Sequence, residues 1–514
     1  MAEPKFLLDT NIFIALEDPK VVPPQVAVFA QKSSLHGVAL YLDEACVADI
    51  RRDPNLERRT ATLSKLAKFP LLESVAHRGL DLQQQRFGAI KNEHDRCDVQ
   101  MLDTLDLGIV DFLISEDLGI HRRADMAGLR SRVFTVQDAI GWIQRTFEPK
   151  DFQLRYILAR KAHQISIEDP LFLSLREDYP EFDQWFAKCR RQHRDCWTVE
   201  IAGQLAGLVI RKEESHAEAR TVHPGPRILK ICTLKMKTEF QGEKFGEQLL
   251  KKIFWFAQGN AYNLIYLTVF PKQEVLIPLL QKFGFSATHT QNYGELVMER
   301  PIALGPLPPR SPERSALAAD FIVYPRFYEG TDVAKYIVPI RAEFHIILFP
   351  EIAEAHDLPM FPNERFLVAG QLRDRTPGNT IRKVYICRAA TRSLKPGDVL
   401  LFYLSKTPEL SRSQCLTTLG IVEQTHFATT ARELIQLVGR RSVYSHESLD
   451  AMIPSQDSPV LVIEFLLSGH LDPPISLSTL LKARALTNRP AQSIKRVDPN
   501  AYEALKLQMR VGFQ

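Results

Sequence analysis

No stretch of this 514-residue sequence approaches the ~20 consecutive apolar residues that a membrane-spanning helix requires. The opening MAEPKFLLDTN has one short apolar run, Phe6-Leu7-Leu8, before Asp9. That is too little for the apolar core of a signal peptide, and the expectation is a cytoplasmic protein with no membrane partner. Cysteine is sparse: Cys46, Cys97, Cys189, Cys196, Cys232, Cys387 and Cys415. None stands in a CxxC pair, which excludes a zinc ribbon or a thioredoxin-like motif, and an odd, scattered set fits reduced thiols. There is no fixed-period repeat and no long low-complexity tract. A strong charge of either sign is also missing, with 65 Lys and Arg against 61 Asp and Glu.

The small excess of +4 is unevenly spread. Residues 1–150 hold 19 basic and 22 acidic side chains, residues 151–319 hold 23 and 19, and residues 320–514 hold 23 and 20. This permits an acidic site in the first part and basic surface in the other two. A single core rarely grows to this length, so several domains are expected. The clearest boundary is the stretch 301–319, with Pro301, Pro306, Pro308, Pro309 and Pro312. Proline removes donors and stiffens the chain, so this stretch is expected to be neither helix interior nor paired strand. A second boundary is expected near 147–152. The resulting division is 1–148, 149–300, a proline-rich linker 301–320, and 321–514.

In the first part, KFLL (5–8), DFLISED (111–117) and RVFT (132–135) read as short buried strands, the second ending in acid. IFIALED, DEACVADIR and DRCDVQMLDTLDL read as helices, the last with Cys97, Met101, Leu102 and Leu105 at helical spacing. Alternating strands and helices imply a parallel sheet between helical layers. Ligands of such sheets bind outside the carboxyl ends of the strands, where Asp9 and Asp117 fall; Glu44 and Asp98 lie on flanking helices. Converging carboxylates repel one another, and a hard divalent cation removes the repulsion. The same residues also suit ordinary turns and helix N-caps.

FLLDTNIF, DEACVADI, RCDVQMLDTL and FLISEDLGIHRRA, in that order, resemble the PIN-domain nucleases over about the first 140 residues. The resemblance implies a Mg²⁺- or Mn²⁺-dependent ribonuclease of toxin-like character. Its metal ligands and catalytic acids would be Asp9, Glu44, Asp98 and Asp117, with Asn11 and Ser115 as orienting groups. Asp95, one turn before Asp98, would replace or supplement it, and Glu116 is a lesser candidate.

In the middle part, TVEIAGQLAGLVI (198–210) reads as two strands joined by a turn. ILKICTLKM (228–236) reads as a strand leading through TEFQGEKFG into an amphipathic helix. Backbone N–H groups at such a helix start can cradle a pyrophosphate. QGEKFGEQLL and LLQKFGF resemble the GNAT N-acetyltransferases over about residues 155–300. The resemblance implies a mixed sheet with helices that binds acetyl-CoA. Leu234, Lys235 and Met236 would pair with the pantetheine arm, and Gln241, Gly242, Glu243, Lys244, Phe245 and Gly246 would wrap the pyrophosphate. Lys244 replaces the family's central glycine. Leu280 stands where a tyrosine often protonates the departing thiolate, and leucine cannot donate a proton. The ICTLKM strand has no acidic base; Glu239 and Tyr293 are substitutes.

In the last part, KVYICRAA, GDVLLFYLS, LTTLGIVEQ and VLVIEFLL read as strands. Thr430-x-x-Glu433 reads as a capping box for ARELIQLVG. KPGDVLLFYLS with TLGIVEQ resembles the PUA-like group that includes EVE and ASCH domains. The strands with an intervening helix suggest a small α+β domain or a partly open β-barrel-type one, and the resemblance implies binding of RNA, with tRNA a candidate, or of a modified base. Arg440, Arg441, Arg484, Arg489, Lys495 and Arg496 would meet phosphates. Tyr385, Phe402, Tyr403 and Tyr444 would stack on bases. The leading expectation is an RNA-cleaving enzyme. The alternatives are an N-acetyltransferase acting on aminoacyl-tRNA or a protein amine over an inactive PIN scaffold, and a non-enzymatic RNA-binding regulator.

Overall fold

The structure is a computed structural model. It describes the chain except for residues 1–2, 18–21, 149–155, 202–203, 238–244, 292–293, 353–374, 378–379, 408–412, 439–451, 453–454, 488 and 514. The chain forms two compact units. One comprises residues 1–153, 386–388 and 426–462; the other comprises residues 154–385, 389–425 and 463–514.

The first unit is built on five strands: β1 (Lys5–Leu8), β2 (Ala39–Asp43), β3 (Leu71–Leu72), β4 (Phe112–Ile114) and β5 (Val133–Phe134). Their spatial order is β3-β2-β1-β4-β5, and every pairing is parallel. Phe6, Leu7 and Leu8 are fully buried, and so are Phe112, Leu113 and Ile114. This is what covering both faces of a parallel sheet demands. One face packs on the helices Thr10–Glu17, Pro24–Leu35 and Val136–Phe147, the other on Glu93–Asp106 and Leu118–Met126. In Glu93–Asp106, Cys97, Met101, Leu102 and Leu105 are buried as their spacing predicts. Asn92 caps that helix through the Asp95 amide, and Thr135 with Asp138 makes a capping box for Val136–Phe147.

One element of the first core comes from far along the chain. The helix Ala431–Val438 has the expected Thr430–Glu433 capping box, with Glu433 N donating to Thr430 Oγ1 at 3.1 Å and Thr430 N to Glu433 Oε2 at 3.2 Å. Its Ile435 packs in the core around Phe6 and Trp142.

The second unit contains β6 (Tyr156–Lys161), β7 (Asp195–Ile201), β8 (Gln204–Glu214), β9 (Ile228–Met236), β10 (Leu264–Val269), β11 (Ser286–Thr290) and β12 (Leu296–Pro301). β13 (Lys335–Ile340) opens another sheet, and β14 (Arg375–Pro377) returns to the edge of this one. The order is β11-β12-β10-β9-β8-β7-β6-β14, antiparallel throughout except for the parallel pair β9–β10. The further strands are β15 (Arg382–Cys387), β16 (Val399–Leu404), β17 (Cys415–Ala428), β18 (Val460–Ser476), β19 (Lys495–Arg496) and β20 (Val511–Gly512). They run in the order β15-β18-β17-β16-β13-β19, with β20 on β18. Among the described residues this path is open.

Two expectations about the proline-rich stretch need correction. Pro301 is a paired strand residue, opposite Leu264 at the end of β12, where a missing donor is tolerated. A helix, Ala316–Val323, starts inside the supposed linker, capped by the Ser315 hydroxyl. Residues on either side of the stretch pack together. Trp255 Nε1 donates to Tyr324 Oη at 3.1 Å, and Tyr324 Oη donates to the Leu467 carbonyl at 2.7 Å. The boundary expected near 147–152 lies mostly outside the described residues.

Candidate functional site

The acidic cluster of the first unit follows from strand register. Leu8 of β1 pairs with Ile114 of β4, so the residues leaving the two strand ends, Asp9 and Ser115, are neighbours. Ser115 Oγ donates to Asp9 Oδ2 at 2.5 Å and accepts the Asp117 amide at 3.0 Å. Asp9 is 5% exposed. Burial pushes its carboxyl up to about 6; the Ser115 bond opposes this, and the charges of Asp117 and Asp49 add to it. Asp98, half-buried, is pushed up to about 7 by burial and then by the charges of Asp117 and Asp9. Asp9, Asp98 and Asp117 therefore share one field. Asp117 is also the N-cap of the helix Leu118–Met126, accepting the Gly119 and Ile120 amides.

Glu44 does not join them. It is exposed and accepts the Ser74 amide at 3.3 Å. The acid of the same helix that acts on Asp9 is Asp49. The preceding Asp43, buried, caps the helix through the Ala45 amide and accepts the Thr104 hydroxyl at 2.6 Å. Glu44 therefore begins the first turn facing outward, while Asp49, on the second turn, pairs with Arg52 at 2.9 Å and His94 at 3.0 Å and lies near enough for its charge to act on Asp9. Asp95 is tied to Arg123 at 3.0 Å and to the Lys91 amide at 2.8 Å, and its charge adds to those acting on Asp98. Glu116 accepts the Val136 amide at 2.9 Å, and Asn11 is exposed. A set of carboxylates suits Mg²⁺ or Mn²⁺ in donor type. In position it does not: among the described residues no three His, Cys, Asp or Glu side chains converge closely enough to hold a metal ion.

In the second unit the sheet divides. β9 and β10 pair in parallel only from Ile228–Leu264 to Ile231–Leu267. On its other side β9 keeps pairing with β8 as far as Gly207–Met236. The ladder between β8 and β9 skips Cys232, because Ile210 lies opposite Thr233 and Arg211 opposite Ile231. An extra residue of this kind bends its strand and sharpens the twist, and it falls where β10 is lost. Cys232 to Met236 therefore present a side with no described strand partner, and each is half-buried. Leu234, Lys235 and Met236 stand on this open leg.

The helix Phe245–Gly259 begins soon after it. Among the described residues, a side chain at Gly246 would meet only Met236 Cγ, at 3.9 Å. Gln241, Gly242, Glu243 and Lys244 lie outside the described residues, as do Glu239 and Tyr293; Phe245 is described in its backbone alone. Leu280 is fully buried in the helix Leu276–Lys282. A side chain there fills the core rather than facing the open leg.

Among the described residues, the expected base-stacking side chains are buried. Phe402 and Tyr403 are fully buried, Phe402 against Phe349 and Phe465, because β16 is covered on both faces. Tyr385, 8% exposed, donates to the Pro339 carbonyl at 2.6 Å. Arg484, Arg489 and Arg496 are exposed and Lys495 is half-buried; Arg440, Arg441 and Tyr444 lie outside the described residues.

No helix among the described residues is long and apolar enough to cross a membrane. No curated protein matches the chain. Among solved structures, a GNAT family acetyltransferase from Elizabethkingia anophelis with acetyl-CoA bound is 15% identical. It covers 28% of this chain and 98% of its own, with a TM-score of 0.22. The PaiA N-acetyltransferase of Thermoplasma acidophilum in complex with coenzyme A is 16% identical, covering 26% and 80%, with a TM-score of 0.20. An ASCH protein from Zymomonas mobilis is 13% identical, covering 34% and 96%, with a TM-score of 0.23. Neither the nuclease resemblance nor the PUA-like one is matched by a family model. Residues 159–285, which contain the divided strands, match the model of the Acetyltransferase (GNAT) family.

Proposed function

We propose that the chain is an acetyl-CoA-dependent N-acetyltransferase whose reaction takes place where β9 and β10 separate. The observation that carries this reading is the bulge at Cys232 coinciding with the end of the β9–β10 ladder. Backbone N–H and C=O groups need partners, and an open strand edge is a ready template for an extended, amide-bearing arm. The pantetheine arm is such a group, and Leu234, Lys235 and Met236 would hold it. The start of the helix Phe245–Gly259, with its amide dipoles, would take the pyrophosphate.

Because Leu280 is in the core, this domain has no proton donor at that position. Rate enhancement then comes from holding amine and thioester in reacting geometry. The acceptor is an amine, on aminoacyl-tRNA or on a protein. Calorimetric titration with acetyl-CoA, followed by labelled acetyl transfer to amine acceptors, tests the reading. Saturable binding with transfer is expected; absence of binding refutes it.

A second reading concerns the first unit. The mutual repulsion of Asp9, Asp98 and Asp117 favours a cation-dependent phosphodiesterase acting on RNA, in which Mg²⁺ or Mn²⁺ would relieve that repulsion. The described side chains do not close around one point, so no catalytic step is assigned. Incubation with total RNA, with and without Mn²⁺, tests it. Cleavage lost in Asp9→Asn supports it, and undiminished cleavage by that variant ends it.

A further inference from the structure

Beyond the last β9–β10 pair, Ile231–Leu267, one leg of the fork is Cys232 to Met236 and the other is Thr268, Val269 and then Phe270. At ~3.3 Å per strand residue, Phe270 stands about 10 Å past the point of separation. Val269 pairs with Leu296 of β12, so Phe270 and Glu295 are the next residues off that ladder. Tyr179, which follows the helix Leu173–Asp178, reaches the same place. Its hydroxyl donates to Glu295 Oε1 at 2.5 Å, and its ring lies 5.3 Å from that of Phe270, inclined at 36°.

The charges around this point leave a remainder of one sign. Lys272 and Asp178 form an ion pair beside Tyr179 and cancel each other. Tyr179 is neutral, since burial and then the Glu295 carboxylate push its ionisation far up. Glu295 forms no ion pair among the described residues; its side chain is bonded to the Tyr179 hydroxyl through one oxygen. A half-buried carboxylate with an oxygen to spare, flanked by two aromatic rings, matches a cation in charge and in surface. Lys272 shows the local compatibility, its ammonium lying 5.4 Å from the centroid of the Phe270 ring.

We infer that Glu295, Tyr179 and Phe270 form a receptor for a positively charged acceptor amine entering between the legs of the fork. This rests on the acetyltransferase reading and adds the charge of the substrate and the residues that select it. Glu295 supplies the counter-charge, Tyr179 fixes its orientation, and Phe270 supplies the apolar wall. The plain alternative is a structural tie between the Tyr179 loop and the sheet edge.

The test uses the full chain and small probes: n-butylammonium chloride against n-butanol, titrated by ligand-observed NMR, with acetyl-CoA titrated separately by calorimetry. Wild-type protein is expected to bind the ammonium at least about tenfold more tightly than the alcohol. E295Q should remove that preference and Y179F should reduce it, while both variants keep the wild-type affinity for acetyl-CoA. Equal binding of the two probes by wild type, or an unchanged preference in E295Q, overturns the receptor. If Y179F loses structure by circular dichroism, the nearly isosteric E295Q still decides. Ammonium preference without any acetyl-CoA binding would uphold the cation site and refute the acetyltransferase reading, so the two failures are distinct.

Discussion

Arg432 donates from Nε to Asp111 Oδ1 at 2.6 Å, joining residues 321 positions apart in the chain. Gln436 donates to the same oxygen at 2.8 Å, and the Lys5 amide donates to Oδ2 at 2.8 Å. Asp111 is nearly inaccessible, so the helix Ala431–Val438 provides partners for a carboxylate that water does not reach well. Removing Arg432, itself partly exposed, leaves the buried Asp111 carboxylate with the neutral Gln436 and Lys5 amide donors and without this counter-charge. Arg432→Ala is therefore expected to cost about 2 kcal/mol in the first unit. Amide hydrogen exchange in the helix Glu93–Asp106 would measure it. Unchanged protection would show that the distant helix is dispensable.

The acidic cluster gives a pH dependence of definite sign. Asp9 and Asp98 have ordinary values of 3.8 and are raised to about 6 and about 7 in the folded chain. Between pH 4 and 7 the folded state therefore holds protons that the unfolded state has released, and stability falls as pH rises through this window. Asp98→Asn should flatten the fall and stabilise the first unit by on the order of 1–2 kcal/mol at pH 8, discounted for partial solvent screening. Denaturant titrations at pH 5 and pH 8 check both sign and size. Added Mn²⁺ should mimic the substitution only if the cluster binds it.

Gly207 bears on the open leg of β9. A Cβ at this position would lie 2.8 Å from Met236 Sδ and 3.1 Å from Leu249 Cδ1. Gly207→Val should drive the flexible Met236 side chain toward the Gly246 approach. Acetyl-CoA affinity is expected to fall about tenfold, or about 1.4 kcal/mol, with folding little affected, as calorimetric titration would show.

Leu280→Tyr tests whether a missing phenol limits the reaction. Because Leu280 is fully buried, the larger ring must be forced into packed core, at a cost of about 1–3 kcal/mol. A lower melting temperature with no gain in acetyl transfer is expected. A rate increase would mean that the helix Leu276–Lys282 faces the substrate.

The amino-acid pattern determined a good deal by itself. Continuous apolar runs produced β1, β4 and β16, helical spacing produced Glu93–Asp106, and Thr430 with Glu433 marked a helix start. Placing Asp9 and Asp117 beyond strand ends was enough to bring them into one field, since parallel strands align their carboxyl ends. What only the tertiary structure decided depended on direction and on distant partners. Glu44 and Asp49 share a helix, yet it is the charge of Asp49, not that of Glu44, that reaches Asp9. Phe402 and Tyr403 were candidates for a surface until both faces of β16 were covered. The Cys232 bulge and the pairing of Arg432 with Asp111 arise from contacts between separate segments, and local spacing contains no record of them.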